Sequence, residues 1–234
     1  MRLGLGLALC LGVGSVYATD PGELTYLTED YPPENFVRGG KVHGYSVEIL
    51  KAVWRKLGVA EQPIRVVPWA RGYWEAQNKP RVMLFAMART AEREKLFHWV
   101  GPFYQADVAL SAPSGRTVEV RSLTEARRLH IAVIREDVGQ MLLKEQGFPD
   151  STINLVNSLE QGLKMLDAGR VALLCANPNS LPPGYRTIWP IGEIKDYYAL
   201  SLDVEPGLVT RFQIALDSLG DERRAILKKY DKVE

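Results

Sequence analysis

Short apolar runs alternate with amphipathic segments along most of the chain. Residues 82–87 and 130–134 are runs in which nearly every side chain is apolar, which predicts strands that are buried on both faces. Residues 46–57 instead carry apolar side chains at helical spacing, with Ser46 as a capping residue and Gly58 after the last turn. This alternation predicts an α/β fold with mostly parallel sheets.

The segment after the strand at 82–87 combines capping residues with a misplaced cation. Thr90 has the character of a helix N-cap, and Glu92 and Glu94 would then lie in the first turn, near the positive end of the helix dipole. Arg93 would lie in the same turn, where a cation is unfavourable unless an anion binds beside it. A strand end, free helix N–H groups and a guanidinium group would together form a carboxylate receptor. The alternative is an exposed Arg93 paired with Glu92 or another neighbour, and spacing alone gives the two interpretations similar weight.

The N-terminus has the pattern of a secretory signal peptide. Arg2 precedes an apolar run from residue 3 to residue 16, and the segment ends in a small-residue cleavage site at Ala18. The apolar run is shorter than the roughly 20 residues that span a bilayer. We therefore predict that residues 1–18 are removed and that the mature protein is exported to the periplasm.

The cysteines predict no disulfide. Leu9 is too bulky for lipoprotein processing at Cys10, so we expect Cys10 to leave with the signal peptide. Cys175 then remains as a single thiol in the apolar run 171–175, where we interpret it as a small buried hydrophobic residue.

Charge and histidine placement exclude other classes of site. The chain has 29 Lys and Arg against 28 Asp and Glu, and loss of Arg2 leaves 28 of each. A chain without net charge lacks the electrostatic footprint of a nucleic-acid-binding or membrane-surface protein. No motif predicts a cofactor, and the histidines lack metal-ligand spacing: His43, His98 and His130.

Several short motifs follow one another over essentially the whole mature chain. They are YPP at 31–33, GYSVEIL at 44–50, ARTAERE at 88–94, WVGP at 99–102, IAV at 131–133, GRV at 169–171 and KKY at 228–230. Their order and spacing resemble those of the family 3 solute-binding proteins of bacterial ABC transporters, which bind polar amino acids.

This resemblance implies a two-lobed α/β fold of the type II periplasmic-binding-protein class. Lobe 1 would comprise residues 19–110 and 201–234, and lobe 2 residues 111–200. Strands at 107–112 and 197–202 would cross between the lobes, with the ligand in the cleft between them. This arrangement agrees with the binding of ligands at the carboxyl ends of parallel strands and with closure about a hinge.

The resemblance also implies roles for individual residues. Arg93 would hold the α-carboxylate of the ligand, with main-chain groups of Ala86 and Ala88 beside it. The position that meets the ligand's ammonium group in relatives corresponds to Asn177, which is neutral, and Ala172 replaces an aspartate that is common in the family.

The missing acid at Asn177 leaves two interpretations open. Either Glu29, Asp30 or Asp137 supplies the negative charge, or the ligand is not a standard α-amino acid, which is the interpretation we favour. Asp137 lies where relatives have a Gly-Thr loop, so ligand contact and simple helix capping are equally compatible with it.

Further cleft candidates rest on aromatic and cationic character. Trp69 and Arg71 lie at a predicted helix start and would offer a stacking face and a second cation. Tyr31 beside Pro32 and Pro33 would form an aromatic wall. For Trp69 and Tyr31, packing beneath a loop is the competing interpretation.

The main functional hypothesis is a monomeric periplasmic receptor without enzymatic activity. It would close on a small carboxylate-bearing solute, an amino acid or a similar compound, and deliver this solute to an ABC permease in the inner membrane. One alternative is an enzyme similar to cyclohexadienyl dehydratases, for which Glu29, Glu136 and Asp137 are the nominated acid–base groups. Another is a ligand-sensing partner of a separate signalling protein.

Overall fold

The structure, a computed structural model, describes residues 20–230 of the chain. The predicted signal peptide at residues 1–18, with Cys10 and the cleavage site at Ala18, lies outside the described residues. None of the helices formed by residues 20–230 combines the length and apolar composition that a membrane-spanning segment needs.

Helices and strands alternate along the described residues, as the apolar pattern predicts. The α-helices are α1 (Tyr45–Leu57), α2 (Trp69–Asn78), α3 (Leu123–Ala126), α4 (Val138–Glu145), α5 (Leu159–Asp167), α6 (Pro206–Asp217) and α7 (Gly220–Lys228). The strands are β1 (Thr25–Thr28), β2 (Phe36–Arg38), β3 (Lys41–His43), β4 (Ile64–Val66), β5 (Val82–Ala88), β6 (His98–Pro113), β7 (Ile131–Ile134), β8 (Ile153–Val156), β9 (Leu173–Ala176) and β10 (Tyr185–Leu200). Short 3-10 helices lie at Pro21–Glu23, Asp150–Thr152 and Pro178–Ser180.

The main sheet has eight strands, in which two groups of three parallel strands are joined by two long antiparallel strands, and β2 and β3 form a separate hairpin. The strand order is β4-β1-β5-β10-β6-β9-β7-β8. Strand β1 pairs in parallel with β4 and β5, and β7 pairs in parallel with β8 and β9. Strands β6 and β10 pair with each other along nearly their full length. The predicted α/β architecture with two lobes and two crossover strands is therefore confirmed.

The crossover strands are longer than the sequence pattern predicts. The segments predicted at 107–112 and 197–202 fall in the 16-residue strands β6 and β10, although β10 ends at residue 200. Gly101 and Pro102 of the WVGP motif lie inside β6. The lobe boundaries after residues 110 and 200 stay predictions. Strand β6 continues to Pro113, past the first boundary, and β10 ends at Leu200, at the second.

The helix predicted to start at Thr90 is wrong. Residues 91–96 form consecutive turns, and β6 begins at His98. The cap-like contact exists, because the Thr90 hydroxyl accepts from the N–H of Arg93 at 3.3 Å, but too few residues separate β5 from β6 for a helix. The dipole argument for Arg93 therefore does not apply.

Helix α1 starts one residue before the predicted cap. Its N-cap is Gly44 with φ 121°, and an added Cβ there would lie 2.1 Å from the carbonyl oxygen of Glu34. The Ser46 hydroxyl, predicted to cap the helix, donates to the same carbonyl at 2.8 Å. These contacts press the Glu34 loop against the helix start and fix the backbone of Glu34.

The apolar core covers both faces of the sheet. Trp54 of α1 is fully buried in lobe 1 and contacts Tyr26 edge-on, as expected for a core residue. In lobe 2, Cys175 is a buried free thiol, which confirms its interpretation as a small hydrophobic residue. Gly58 ends α1 in the left-handed conformation, as predicted.

Candidate functional site

A small cavity lies where the two lobes meet. Its walls come from the segments that follow β1, β7 and β9, from β5, and from the crossover strands. The lining residues are Glu29, Tyr31, Glu34, Ala86, Ala88, Val108, Asp137, Val138, Ala176, Asn177, Ile194 and Asp196. The predicted site residues that the structure brings together here are Glu29, Tyr31, Ala86, Ala88, Asp137 and Asn177. Their contact with a ligand stays a prediction.

The chain segment after β1 supplies the lobe 1 wall. Glu29 follows the last residue of β1, and a hydrogen-bonded bridge between Tyr31 and Asn35 folds the loop back on itself. Asn35 also donates to the carbonyl oxygen of Glu29 at 2.7 Å. The loop therefore presents Glu29, Tyr31 and Glu34 on one side of the cavity.

The carboxyl ends of two parallel strands supply the lobe 2 wall. Asn177 directly follows β9, and Asp137 lies three residues after the end of β7. Asp137 caps α4 by accepting from the N–H of Val138 at 2.7 Å. Its predicted capping role is thus confirmed, and its carboxylate also reaches the cavity. This is the edge at which open α/β sheets place ligands.

Asn177 connects the two lobes by hydrogen bonds. Its main-chain N–H donates to the Tyr31 hydroxyl at 2.9 Å, and its side-chain amide donates to Oε1 of Glu34 at 3.1 Å. The neutral Asn177 side chain therefore offers no negative charge to a ligand ammonium group. It instead donates a hydrogen bond to the Glu34 carboxylate of the opposite lobe. The lobes are in contact around the cavity, as in a closed conformation.

Arg93 is buried beside the cavity and is bound to main-chain carbonyl groups. Its side chain is 1% exposed. Nη1 donates to the Ala88 carbonyl oxygen at 3.2 Å and Nη2 to the Glu136 carbonyl oxygen at 2.6 Å, so it too connects the lobes. Its guanidinium carbon lies 5.7 Å from the ring centre of Trp69 and 5.1 Å from that of Tyr73. The exposed pair with Glu92 is therefore wrong.

Trp69 and Arg71 lie outside the cavity lining. Trp69 is 2% exposed, and its indole N–H donates to the Glu136 carbonyl oxygen at 2.9 Å. Arg71 is directed along α2, where its Nε donates to Glu75 at 2.9 Å. Trp69 thus packs beneath the Arg93 turn and Arg71 holds a lobe 1 acid, and neither reaches the cavity in this conformation.

Two cavity acids were missed at the sequence level. Glu34 is 8% exposed and Asp196 is 2% exposed. Burial raises the pKa of Glu34 to about 7, although the hydrogen bond from Asn177 acts in the opposite direction. Burial and the charges of Glu34 and Asp137 raise the pKa of Asp196 well above its ordinary value.

The other two acids of the cavity are shifted in the same direction. Burial, followed by the charges of Asp137 and Glu34, raises the pKa of Glu29 well above its ordinary value. Burial also raises the pKa of Asp137, against the lowering effect of Arg93. Among the described residues, no group of three or more His, Cys, Asp or Glu is placed to hold a metal ion.

Comparison with known protein structures shows the same fold. A histidine kinase sensor domain with similarity to periplasmic binding proteins matches with a TM-score of 0.81 and 19% identity, covering 92% of this chain and 99% of that one. An amino acid ABC transporter substrate-binding protein from Streptococcus pneumoniae, bound to L-arginine, matches with a TM-score of 0.78 and 19% identity, covering 89% and 93%.

A third similar structure is an ancestral amino-acid-binding protein described as a precursor of cyclohexadienyl dehydratase. It matches with a TM-score of 0.77 and 17% identity, covering 90% of this chain and 96% of that one. No curated protein sequence matches significantly. The sequence profile of the bacterial extracellular solute-binding proteins, family 3, matches residues 24–225. Because this match spans most of the sequence and the architecture agrees with it, the chain belongs to family 3 of the bacterial extracellular solute-binding proteins.

Proposed function

We propose that the protein is a periplasmic receptor that closes its two lobes on a small charged solute and delivers it to an ABC permease in the inner membrane. The supporting observation is the cavity itself, whose charged and polar side chains come from both lobes. A solute bound there contacts both lobes at once, so its binding energy favours the closed conformation.

The carboxylate-bearing solute predicted from Arg93 is one form of this proposal. A carboxylate would need guanidinium donors, and two nitrogens of Arg93 already donate to the carbonyl groups of Ala88 and Glu136. Its Nε has no hydrogen-bond partner within residues 20–230. Nη1 and Nη2 each donate only one of their two N–H groups, so a carboxylate would bind at Nε and at a remaining N–H of a terminal nitrogen.

A thermal-shift screen tests the receptor function. The panel contains amino acids, opines, polyamines and small dicarboxylates. A ligand at one hundred times its Kd stabilises a protein by about 2.7 kcal/mol, which corresponds to a rise in Tm of roughly 5–10 °C for a chain of this size.

Two variants show whether such a ligand binds in the cavity. We expect Asn177→Ala, which removes the interlobe side-chain bond to Glu34, to reduce the shift. Asn78→Ala, at the exposed end of α2, should leave it unchanged. A panel without any stabilising compound, or a shift that both variants reduce equally, would contradict a receptor function for this cavity.

An enzyme on the same scaffold is the second candidate, and Glu34 favours it. A buried carboxyl group with a pKa of about 7 suits general acid–base chemistry near neutral pH. Of the groups nominated from sequence, Glu29 and Asp137 line the cavity, whereas Glu136 is exposed. Incubation with prephenate or arogenate tests this candidate. Turnover that is lost in Glu34→Gln would replace the receptor proposal with a dehydratase.

A further inference from the structure

The cavity between the lobes is strongly acidic. The carboxylates of Glu29, Glu34, Asp137 and Asp196 all line it, and within the described chain no lysine or arginine does. Arg93, beside the cavity, is a cation whose charge acts on Asp137. One guanidinium group therefore faces four carboxyl groups, and a closed cleft with this balance favours a cation.

Asp196 gives a second, independent indication of a missing partner. It is 2% exposed and lines the cavity. Its Oδ2 has no hydrogen-bond partner among residues 20–230. Because a buried carboxylate oxygen without a partner is costly, we expect a donor from outside the chain to complete this position.

The free space in the closed cavity has the size of a small cationic group. The centres of water-sized spheres can occupy about 30 Å³ of it. A single water needs roughly 10–15 Å³ by this measure, so the space holds an ammonium group or two waters. The remainder of a solute would need the lobes to be more open than they are here.

The closed cavity makes no comparable provision for an anion. Arg93 is the cation that a ligand carboxylate would need, and its Nη1 and Nη2 already bind main-chain oxygens of both lobes. Asn177 could donate, but its amide is bound to Glu34. Nε of Arg93 has no partner among residues 20–230, but Arg93 does not line the cavity, whereas Asp196, whose Oδ2 also has no partner, does.

We propose that the cavity binds the protonated amino group of a small organic amine through Asp196 and Glu34, and that the solute needs no carboxylate. This inference deepens the receptor function proposed above and rests on it. The solute class is that of primary amines and diamines. Oδ2 of Asp196, which has no partner among the described residues, accepts a hydrogen bond from the ammonium group. Glu34, which contacts Asn177 of the other lobe, supplies a second negative charge.

The titration of the cavity supports the same assignment. Burial and mutual repulsion raise the pKa values of Glu29, Glu34 and Asp196. Burial also raises the pKa of Asp137, whereas the charge of Arg93 lowers it. Tyr31, Tyr45 and Cys175 are further titratable groups packed here, and each has a raised pKa. A bound ammonium group favours the ionised carboxylates. Its binding should therefore release protons and become tighter as the pH rises from 6 to 8.

Calorimetric titration with a matched set of ligands tests the proposal. Diamines of three to five carbons carry only ammonium groups, lysine adds a carboxylate to the five-carbon diamine, and glutarate carries carboxylates alone. At pH 7 we expect the diamines and lysine to bind and glutarate not to bind. Titrations in two buffers of different ionisation enthalpy should show proton release for each amine.

Variants assign the contacts. Asp196→Asn should weaken amine binding about 30-fold or more, the usual effect of removing one side of a buried charge pair. Glu193→Gln lies on the same strand outside the cavity, where Gln105 donates to it, and should leave the Kd unchanged. Glu34→Gln keeps an acceptor for Asn177 and provides a second test if Asp196→Asn does not fold.

The outcomes separate this inference from the receptor function. Binding of glutarate but of no amine, or of lysine but of no diamine, overturns the inference while the receptor function stands. Equal amine affinity in Asp196→Asn, Glu34→Gln and the wild type also overturns it. If neither this set nor the broader panel binds, both proposals fail together.

Discussion

Two buried acids of similar exposure have opposite surroundings. Glu75 on α2 is 1% exposed and Asp196 on β10 is 2% exposed. Three cations surround Glu75: Arg71 at 2.9 Å, Lys79 at 3.2 Å and Arg65 at 3.4 Å. Asp196 instead faces Glu34 and Asp137, and one of its oxygens has no partner among the described residues.

The fold neutralises the charge of Glu75 with cationic side chains, but it provides no cation for the charge of Asp196 among the described residues. Burial would raise the pKa of Glu75, but hydrogen bonds from Arg71 and Lys79 lower it. Burial and like charges raise the pKa of Asp196. A buried charge with all its partners contributes to the folded state, whereas one without partners destabilises it until something else supplies them. We therefore interpret Glu75 as structural and Asp196 as ligand-facing.

Arg93, like Glu75, is a buried charged residue that has partners within the fold. Its removal should lower the stability of the protein more than any other change proposed here. Arg93→Ala would remove the Arg93 hydrogen bonds to the carbonyl oxygens of Ala88 and Glu136, leave Trp69 as the side-chain donor to Glu136, and empty the space over Trp69 and Tyr73. We expect a loss of about 3 kcal/mol in the free energy of unfolding, or roughly 6–12 °C in Tm. Thermal unfolding of the purified protein without ligand measures it.

The neighbouring Arg89 provides the control for this change. Its guanidinium pairs with Glu94 at the surface, so Arg89→Ala should cost less than about 1 kcal/mol. If Arg93→Ala left the Tm unchanged while ligand binding disappeared, Arg93 would be the carboxylate contact that the family resemblance implies.

The pH dependence of stability should show the next largest effect. Glu34 has a pKa of about 7 in the folded protein, and those of Asp196, Glu29 and Asp137 are also raised. A raised pKa means that the folded state holds the proton more tightly than the unfolded chain. Stability is therefore greatest below the unfolded pKa, near 4.5, and decreases as the pH rises through the folded pKa.

We expect the empty protein to be about 2 kcal/mol less stable at pH 8 than at pH 5, or roughly 4–8 °C lower in Tm. Denaturant unfolding at both pH values measures this difference. Glu34→Gln should reduce the difference, because it removes one of the titrating groups. A protein that became more stable between pH 5 and pH 8 would show that the cavity acids have cationic partners.

Removal of the Glu75 charge should lower the free energy of unfolding by a smaller amount, because it leaves cations without their carboxylate partner. Glu75→Gln leaves Arg65, Arg71 and Lys79 without their shared carboxylate. All three cations are partly exposed to solvent, so we expect a loss of about 1–2 kcal/mol at pH 7. Glu160→Gln, which breaks an exposed pair with Lys164 on α5, should lower the stability much less, because solvent screens an exposed ion pair. Equal Tm changes in the two variants would remove the distinction between buried and surface acids.

Much of the fold was accessible from periodicity alone. Helix α2 begins at Trp69, where a helix start was predicted, β5 extends the predicted strand by one residue, and Asp137 caps α4 as expected. The failures lie where long-range contacts override local signals. Thr90 with two following glutamates resembles a helix start, but the return of the chain into β6 leaves room only for turns.

The candidate site was predictable in position but not in charge. The family resemblance placed Asn177 at the cleft, which agrees with its position directly after β9 at the carboxyl end of a parallel strand. Asp196 was missed because the strand was predicted to start at residue 197. The period-2 spacing of positions 196, 198 and 200 was a possible signal, and all three residues are buried, although the pairing of β10 with β6 is irregular between 196 and 198. Glu34 had no such signal, because its burial depends on the contact of its backbone with Gly44 and Ser46.

The smallest expected effect is also the most direct test of the comparison between Asp196 and Glu75. In the empty protein, Asp196→Asn replaces an unpartnered buried acid by a neutral side chain of the same shape. At pH 8 we expect the variant to be about 1 kcal/mol more stable than the wild type. At pH 5 the difference should be smaller, because the raised pKa of Asp196 favours its neutral form as the pH falls. Denaturant unfolding at both pH values measures the gain, and a loss of stability at pH 8, like that of Glu75→Gln, would mean that the fold already provides Asp196 with a cation.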